Sequence, residues 1–159
     1  MNDHLEAINH QEAIHYIRDF VEKSAEKNVE GQGRDKQFTE YILLSIHNLI
    51  LKGIRDRDAG SYRRQAVYIL QSNGKRHEFP DVYLLPKLIE DYFIFYNEYK
   101  GTMHPVEMAT HLHQRLVNIH PFIDGNGRTS RLVMNLYLLQ QGYPITIIDS
   151  QMDLSLIHI

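Results

Sequence analysis

Residues 128–141 read as a helix that is apolar on nearly every side, and no other feature constrains the fold of this chain as much. Between Arg128 and the stop at Gly142, the residues Leu132, Val133, Leu136, Leu138 and Leu139 cover most of the helical circumference. A helix with one apolar stripe needs one neighbour, whereas a helix that is apolar all round must be enclosed by several. The chain is therefore predicted to be all-α, a helical bundle built around this segment. Its 159 residues match the length of one domain.

Other segments supply the enclosing helices. Leu5, Ile8, Ile14, Ile17 and Val21 predict a helix over about Leu5 to Ser24. Asn28 to Lys36 holds two glycines and several charges and reads as a loop. Phe38, Tyr41, Ile42, Leu49 and Ile50 predict a second helix from Phe38 to Lys52, stopped by Gly53. Ile54 to Tyr62 is polar and reads as a loop. Asn73-Gly74 between Ala66–Leu70 and Lys75–Phe79 predicts a small β-hairpin with a type I′ turn. A third helix, Val82 to Tyr96, carries Tyr83, Tyr92, Phe93, Phe95 and Tyr96, which are assigned to the core. Pro105 is placed to open a fourth helix that runs to Asn118, before a break at His120-Pro121.

Composition removes several classes of function. The chain has no cysteine, which excludes a disulfide scaffold, a thiolate zinc site and a cysteine nucleophile. A net charge of −3 does not support a general nucleic-acid footprint. No apolar run approaches the length of a membrane span. The opening MNDHLEAINH has no basic patch ahead of an apolar stretch, so no signal peptide and a cytoplasmic location are expected. The last six residues, LSLIHI, read as a translated sequencing-library adapter, so residues 154–159 are expected to be a non-native tail on a domain spanning 1–153.

Chemistry concentrates in His120-Pro-Phe-Ile-Asp-Gly-Asn-Gly-Arg-Thr-Ser-Arg131. Gly125, Asn126 and Gly127 stand at the start of a helix, where backbone N–H groups and the positive end of the dipole favour an anion, phosphate above all. Arg128 and Arg131 share a face of the first turn. Cations oppose the dipole there, so their presence points to a bound anion that offsets the cost. Asp124 puts a carboxylate beside the cradle, suited to magnesium held against phosphates. His120 offers a base for an attacking hydroxyl near neutral pH. The residues together suggest phosphoryl or nucleotidyl transfer. A bare D-G-N-G-R string is more often a plain turn with solvated arginines, and only the twelve residues in combination are specific. A histidine-metal hydrolase using His113, His120 and Asp124 is the competing reading of these residues.

The segment resembles the signature of the Fic family, H-P-F-x-[D/E]-G-N-G-R-x-x-R, at every defined position. The likeness extends to His104-Pro105-Val106-Glu107 and Leu116-Val117-x-Ile119 before it, Leu132 to Pro144 after it, and Glu6 to Ile14 upstream, covering most of residues 4–148. The resemblance implies a Fic-fold helical bundle with a hairpin flap. The activity it implies is AMP transfer from ATP to a Ser, Thr or Tyr hydroxyl of a target protein. On that basis His120 is the general base, Phe122 anchors the loop, and Asp124 holds Mg2+. Gly125, Asn126, Gly127, Arg128, Thr129, Ser130 and Arg131 bind the nucleotide, with Arg131 toward the γ-phosphate. The hairpin near Lys75 to Phe79 lines up the protein substrate by strand pairing.

Many Fic proteins carry an inhibitory helix, [S/T]-x-x-x-E-[G/N]. Here Glu30-Gly31 is the only Glu followed by Gly or Asn, and Glu26 stands where Ser or Thr is required. The chain is therefore expected to lack that helix and to be truncated at both ends. Truncation would relieve inhibition and weaken nucleotide affinity. A homodimer stays open. Within the family, AMP removal, phosphocholine transfer or another nucleotide donor is the alternative. Outside catalysis, the alternative is an idle or regulatory nucleotide-binding fragment.

Overall fold

The computed structural model describes residues 3–29 and 37–146. The elements described run α1 (Asp3–Val29), α2 (Glu40–Leu51), β1 (Tyr68–Leu70), β2 (Arg76–Glu78), α3 (Leu85–Tyr99), α4 (Pro105–Ile119) and α5 (Asn126–Gln140). This is the expected all-α bundle with one hairpin. Helix α5 is its centre and packs against α4, α1 and α2. Leu132, Val133, Met134, Leu136, Tyr137 and Leu138 are all buried, while Leu139 is partly buried. The enclosure predicted from the apolar circumference is therefore present. Among the described residues, no helix is long and apolar enough to cross a membrane.

Several boundaries and faces differ from expectation. Helix α1 continues past Ser24 through Asn28 to Val29. Of the loop expected over 28–36, residues 30–36 lie outside the described residues, as do 154–159. Helix α5 begins at Asn126 rather than Arg128, because the Asn126 side chain closes the preceding turn and Gly125 takes the N-cap with φ 80°. Ile8 is 40% exposed and Tyr41 is 76% exposed, although both were placed on apolar stripes. Each shares its face with polar residues, Ile8 with Glu12 and His15, Tyr41 with Ser45 and Asn48.

The third helix also starts late. Residues Val82–Leu84 form a separate 3-10 turn, N-capped by Asp81, whose carboxylate accepts from the Tyr83 N–H at 3.0 Å. Pro86 sits in the first turn of α3, where its missing N–H costs nothing. Tyr83 is thus off the phase of α3 and 92% exposed, so its assignment to the core fails. Tyr92 and Tyr96 are buried, and the Tyr92 hydroxyl donates to the Leu112 carbonyl at 3.0 Å, tying α3 to α4.

The hairpin pairs Tyr68 with Glu78, Ile69 with His77 and Leu70 with Arg76, antiparallel. Its turn is not type I′. Gly74 alone has positive φ, 80°, and its N–H donates to the Gln71 carbonyl at 3.0 Å. Gln71 in turn donates to the Lys75 carbonyl, leaving a three-residue loop with glycine in the left-handed position. The Asn73 side chain accepts from the Lys75 N–H at 2.9 Å instead of adopting positive φ itself.

Two polar side chains fasten the bundle. Asn9 of α1 is buried and donates to the Ile50 and Lys52 carbonyls at 3.1 and 2.8 Å, capping the end of α2. Asn135 of α5 holds Thr146 by a reciprocal pair of hydrogen bonds at 3.0 and 2.8 Å.

Candidate active site

His120 ends α4 in a left-handed conformation, φ 51°, the only positive φ among the described non-glycine residues. That single reversal turns the chain out of α4 and into the loop 120–125. Phe122 then drops into the core with no exposed surface. Its ring stacks on His47 of α2 at 3.7 Å and on Tyr62 at 5.6 Å. Asn126 clamps the loop from the other side: its amide accepts from the Phe122 N–H at 2.9 Å and donates to the Phe122 carbonyl at 2.8 Å. A core ring and one amide therefore hold both ends of the turn.

His47 supports the same loop from below. The Gly60 N–H donates to its Nδ1 at 2.9 Å, which makes Nε2 the protonated nitrogen, and that N–H donates to the Asp124 carbonyl at 2.9 Å. Burial pushes its pKa down to about 4, outweighing the nearby Asp124 carbonyl and carboxylate. A Cβ on Gly125 would approach Ile50 at 3.3 Å and His47 at 3.6 Å, and Gly125 also has positive φ, so this position requires glycine.

Helix α5 starts where the turn ends. Thr129 is the first of its N–H donors to find a helical acceptor, the Gly125 carbonyl at 3.0 Å. The N–H groups of Asn126, Gly127 and Arg128 have no acceptor within the helix, and all three residues line the pocket at its start. A pocket of about 270 Å³ opens there, lined by His120, Ile123, Asp124, Gly125, Asn126, Gly127, Arg128 and Arg131. The structure thus gathers all but two of the expected site residues around one cavity. Thr129 and Ser130 do not line it. Both are fully buried beneath it, and the Ser130 hydroxyl donates to the Gly127 carbonyl at 2.8 Å.

Charge around the pocket is mixed. Asp124 Oδ1 accepts from the Gly125 N–H at 2.8 Å and lies 3.6 Å from Arg128. Helix α1 passes over the cationic side, with Glu6 at 3.9 Å from Arg128. His10, also on α1, is held below its usual pKa by burial and then by Arg131 and Arg128. Among the described residues, no group of three or more His, Cys, Asp or Glu could hold a metal, so His113, His120 and Asp124 do not form the hydrolase centre weighed above.

His120 itself is tightly placed. Its Nδ1 faces the Val117 carbonyl at 3.3 Å, which leaves Nε2 as the acceptor. Phe79, just beyond β2, stacks flat on the ring at 3.8 Å and 8°. Burial lowers its pKa to about 4, with the Arg63 charge and His77 adding to the shift and the Val117 carbonyl and Asp124 opposing it. Arg63 is buried and ties the pieces together. Its Nε donates to the His120 carbonyl at 2.7 Å, its Nη1 to Gln65 at 3.1 Å and its Nη2 to the Pro80 carbonyl. Its N–H donates to the Pro121 carbonyl at 2.8 Å. One guanidinium thus links the His120 backbone to both roots of the hairpin.

Sequence reasoning did not single out His47, Arg63, Phe79 or Glu6. For His47 a signal existed: it is a polar residue on the buried row Leu43, Ile46, Ile50. For Arg63 and Phe79 there was none, because their partners lie on other elements.

The two imidazoles, His47 buried and His120 partly buried, carry a stability prediction. His47 and His120 are neutral in the fold down to about pH 4, whereas unfolded they would titrate near 6.5. Between those values the unfolded chain binds more protons. Stability is therefore full above pH 6.5 and falls as the pH drops toward 4. A melting temperature that rises on acidification across this range would contradict the assignment.

Fold and site together define a helical bundle that presents a glycine-containing helix start with two arginines, and a neutral histidine, under a hairpin. The chain belongs to the Fic/DOC family, whose profile matches residues 37–138. A protein adenylyltransferase Fic of Drosophila willistoni is 42% identical over 110 residues, 69% of this chain and 21% of that protein. Its Drosophila melanogaster counterpart is 41% identical over the same length. The chain thus spans 21% of the length of these curated relatives. Among solved structures, a Fic domain containing signaling protein from Bacteroides thetaiotaomicron matches with a TM-score of 0.78 at 27% identity. That match covers 97% of this chain and 57% of the other.

Proposed function

We propose that the chain carries the catalytic core of a protein adenylyltransferase, which moves AMP from ATP to a Ser, Thr or Tyr hydroxyl. The observation that carries this reading is the pocket itself: His120, with Nε2 unprotonated, shares one cavity with Asp124, the open N–H groups of α5, Arg128 and Arg131. The names of the Drosophila relatives support it at the level of the family.

The chemistry follows from the geometry. The N–H groups of 126–128 and the two arginines bind the phosphate chain and stabilise charge that builds on it. His120 Nε2 takes the proton of the incoming hydroxyl as that oxygen bonds to the α-phosphorus. The bond from the α-phosphorus to the bridging oxygen breaks, and pyrophosphate leaves. The residues present also fit magnesium: Asp124 is partly exposed in the pocket, and its Oδ2 makes no hydrogen bond or ion pair among the described residues. Asp124 would hold the ion together with the substrate phosphates, and the ion would supply charge neutralisation there. The hydroxyl would be presented by a target segment pairing with the hairpin, whose two strands are exposed and have free outer edges among the described residues.

The test is intact mass before and after incubation with ATP and magnesium, alone and with a cell extract. A gain of one AMP on the chain or on an extract protein is expected. Nucleotide bound without any such gain would overturn the transfer. Asp124→Ala is expected to reduce turnover and raise the magnesium concentration at half-maximal rate. An unchanged magnesium dependence would remove Asp124 from that role.

A further inference from the structure

Ile123 is a wall with two sides. One side lines the pocket of His120, and the other lines a cleft of about 430 Å³ formed mainly by residues 55–65. Four arginines, Arg55, Arg57, Arg63 and Arg64, line this cleft against one carboxylate, Asp58. This is a strongly positive place on a chain whose net charge is −3. Two of the arginines are already engaged. Arg55 pairs with Asp58 at 3.0 Å, and the Arg63 guanidinium is spent on three backbone carbonyls. Arg57 and Arg64 are exposed and make no ion pair among the described residues. They are two open guanidinium forks at the rim of a concave site.

We propose that this cleft binds carboxylate side chains of the protein that receives the nucleotide, next to the hydroxyl being modified. The proposal rests on the transfer reading above for the identity of the partner. Three observations support it. Arg63 bonds to the His120 and Pro121 carbonyls, so the segment forming the cleft runs directly beside the base. The same segment leads into β1, which places the cleft at the root of the hairpin. The phosphate chain has its own donors across Ile123, in the first turn of α5, which leaves these arginines for a different anion. Guanidinium groups match carboxylates as bidentate partners. The cleft offers two open guanidinium groups, Arg57 and Arg64, whereas a nucleic-acid backbone needs a longer run of phosphate contacts, which favours an acidic peptide.

The experiment measures binding apart from transfer. The probes are two fluorescent peptides with a central tyrosine, one flanked by glutamates and the other by glutamines, together with a labelled single-stranded oligonucleotide. The proteins are the full chain and its Arg57→Gln/Arg64→Gln variant, with ATP affinity and melting temperature as controls on the site and the fold. Wild type is expected to bind the glutamate peptide about tenfold more tightly than the glutamine peptide at low salt. The preference is expected to shrink with added salt and to vanish in the variant, with ATP affinity unchanged. Equal binding of the two peptides, a preference that survives in the variant, or an oligonucleotide bound more tightly through the same arginines would each overturn the proposal. A retained preference in a chain that transfers no AMP would sink the transfer reading and leave the acidic-peptide cleft standing.

Discussion

Replacing His120 with alanine is expected to cut AMP transfer by about 10²–10⁴-fold while leaving ATP affinity within a factor of about two. The asymmetry follows from where the groups sit. The imidazole lies at the end of α4, where its Nδ1 faces the Val117 carbonyl and its ring stacks on Phe79. The groups that would hold phosphates are fixed by other means, through Asn126, Phe122 and His47. Removing the base therefore withdraws the proton acceptor without dismantling the cradle. The readouts are initial rate by mass spectrometry and affinity by titration with a fluorescent ATP analogue. A variant that transfers at the wild-type rate would refute the base assignment. A variant that loses both rate and affinity would show that His120 is a binding group instead. Because burial holds the ring neutral down to about pH 4, the wild-type rate should not show the fall below pH 6.5 that an ordinary histidine base imposes.

Phe122→Ala is expected to be the most damaging single change to stability. The ring is fully buried and stacked between His47 and Tyr62. Truncating a buried phenylalanine costs about 3–5 kcal/mol through lost burial and the cavity left behind. In a domain of this size that corresponds to a fall in melting temperature of roughly 10 °C. The loss also reaches the site. Phe122 is the residue whose N–H and carbonyl Asn126 grips, and His47 holds the Asp124 carbonyl from the same stack. Weaker ATP binding should accompany the lower melting temperature. Phe122→Leu keeps most of the apolar volume but not the flat ring on His47, so it should recover more stability than ATP affinity. A melting temperature unchanged in the alanine variant would contradict the anchoring role.

Much of the site was legible because it is local. His120 to Arg131 are contiguous, and glycines before a helix turn N–H groups to one side whatever surrounds them. The helix rich in leucine was legible for a similar reason: a circumference apolar on all sides has few solutions. Faces and turns were read less well. Tyr41, Ile8 and Tyr83 are apolar or aromatic, yet they point to water, since position in the helical phase outweighs residue type once the opposite face is filled. Asn73-Gly74 suggested one turn and the chain made another, because a single glycine at positive φ closes a three-residue loop. Thr129 and Ser130 lie within the signature, but α5 points both side chains into the core.

What the sequence by itself determined is the class of the bundle, its central helix and the make-up of one contiguous loop, because each depends on neighbours along the chain. Only the tertiary structure decided how that loop is held and what surrounds His120. Phe79 over His120, His47 under Asp124 and Arg63 between His120 and the hairpin join residues far apart in sequence. Such contacts arise from burial and from backbone carbonyls meeting donors on other elements. No local pattern of residues records them.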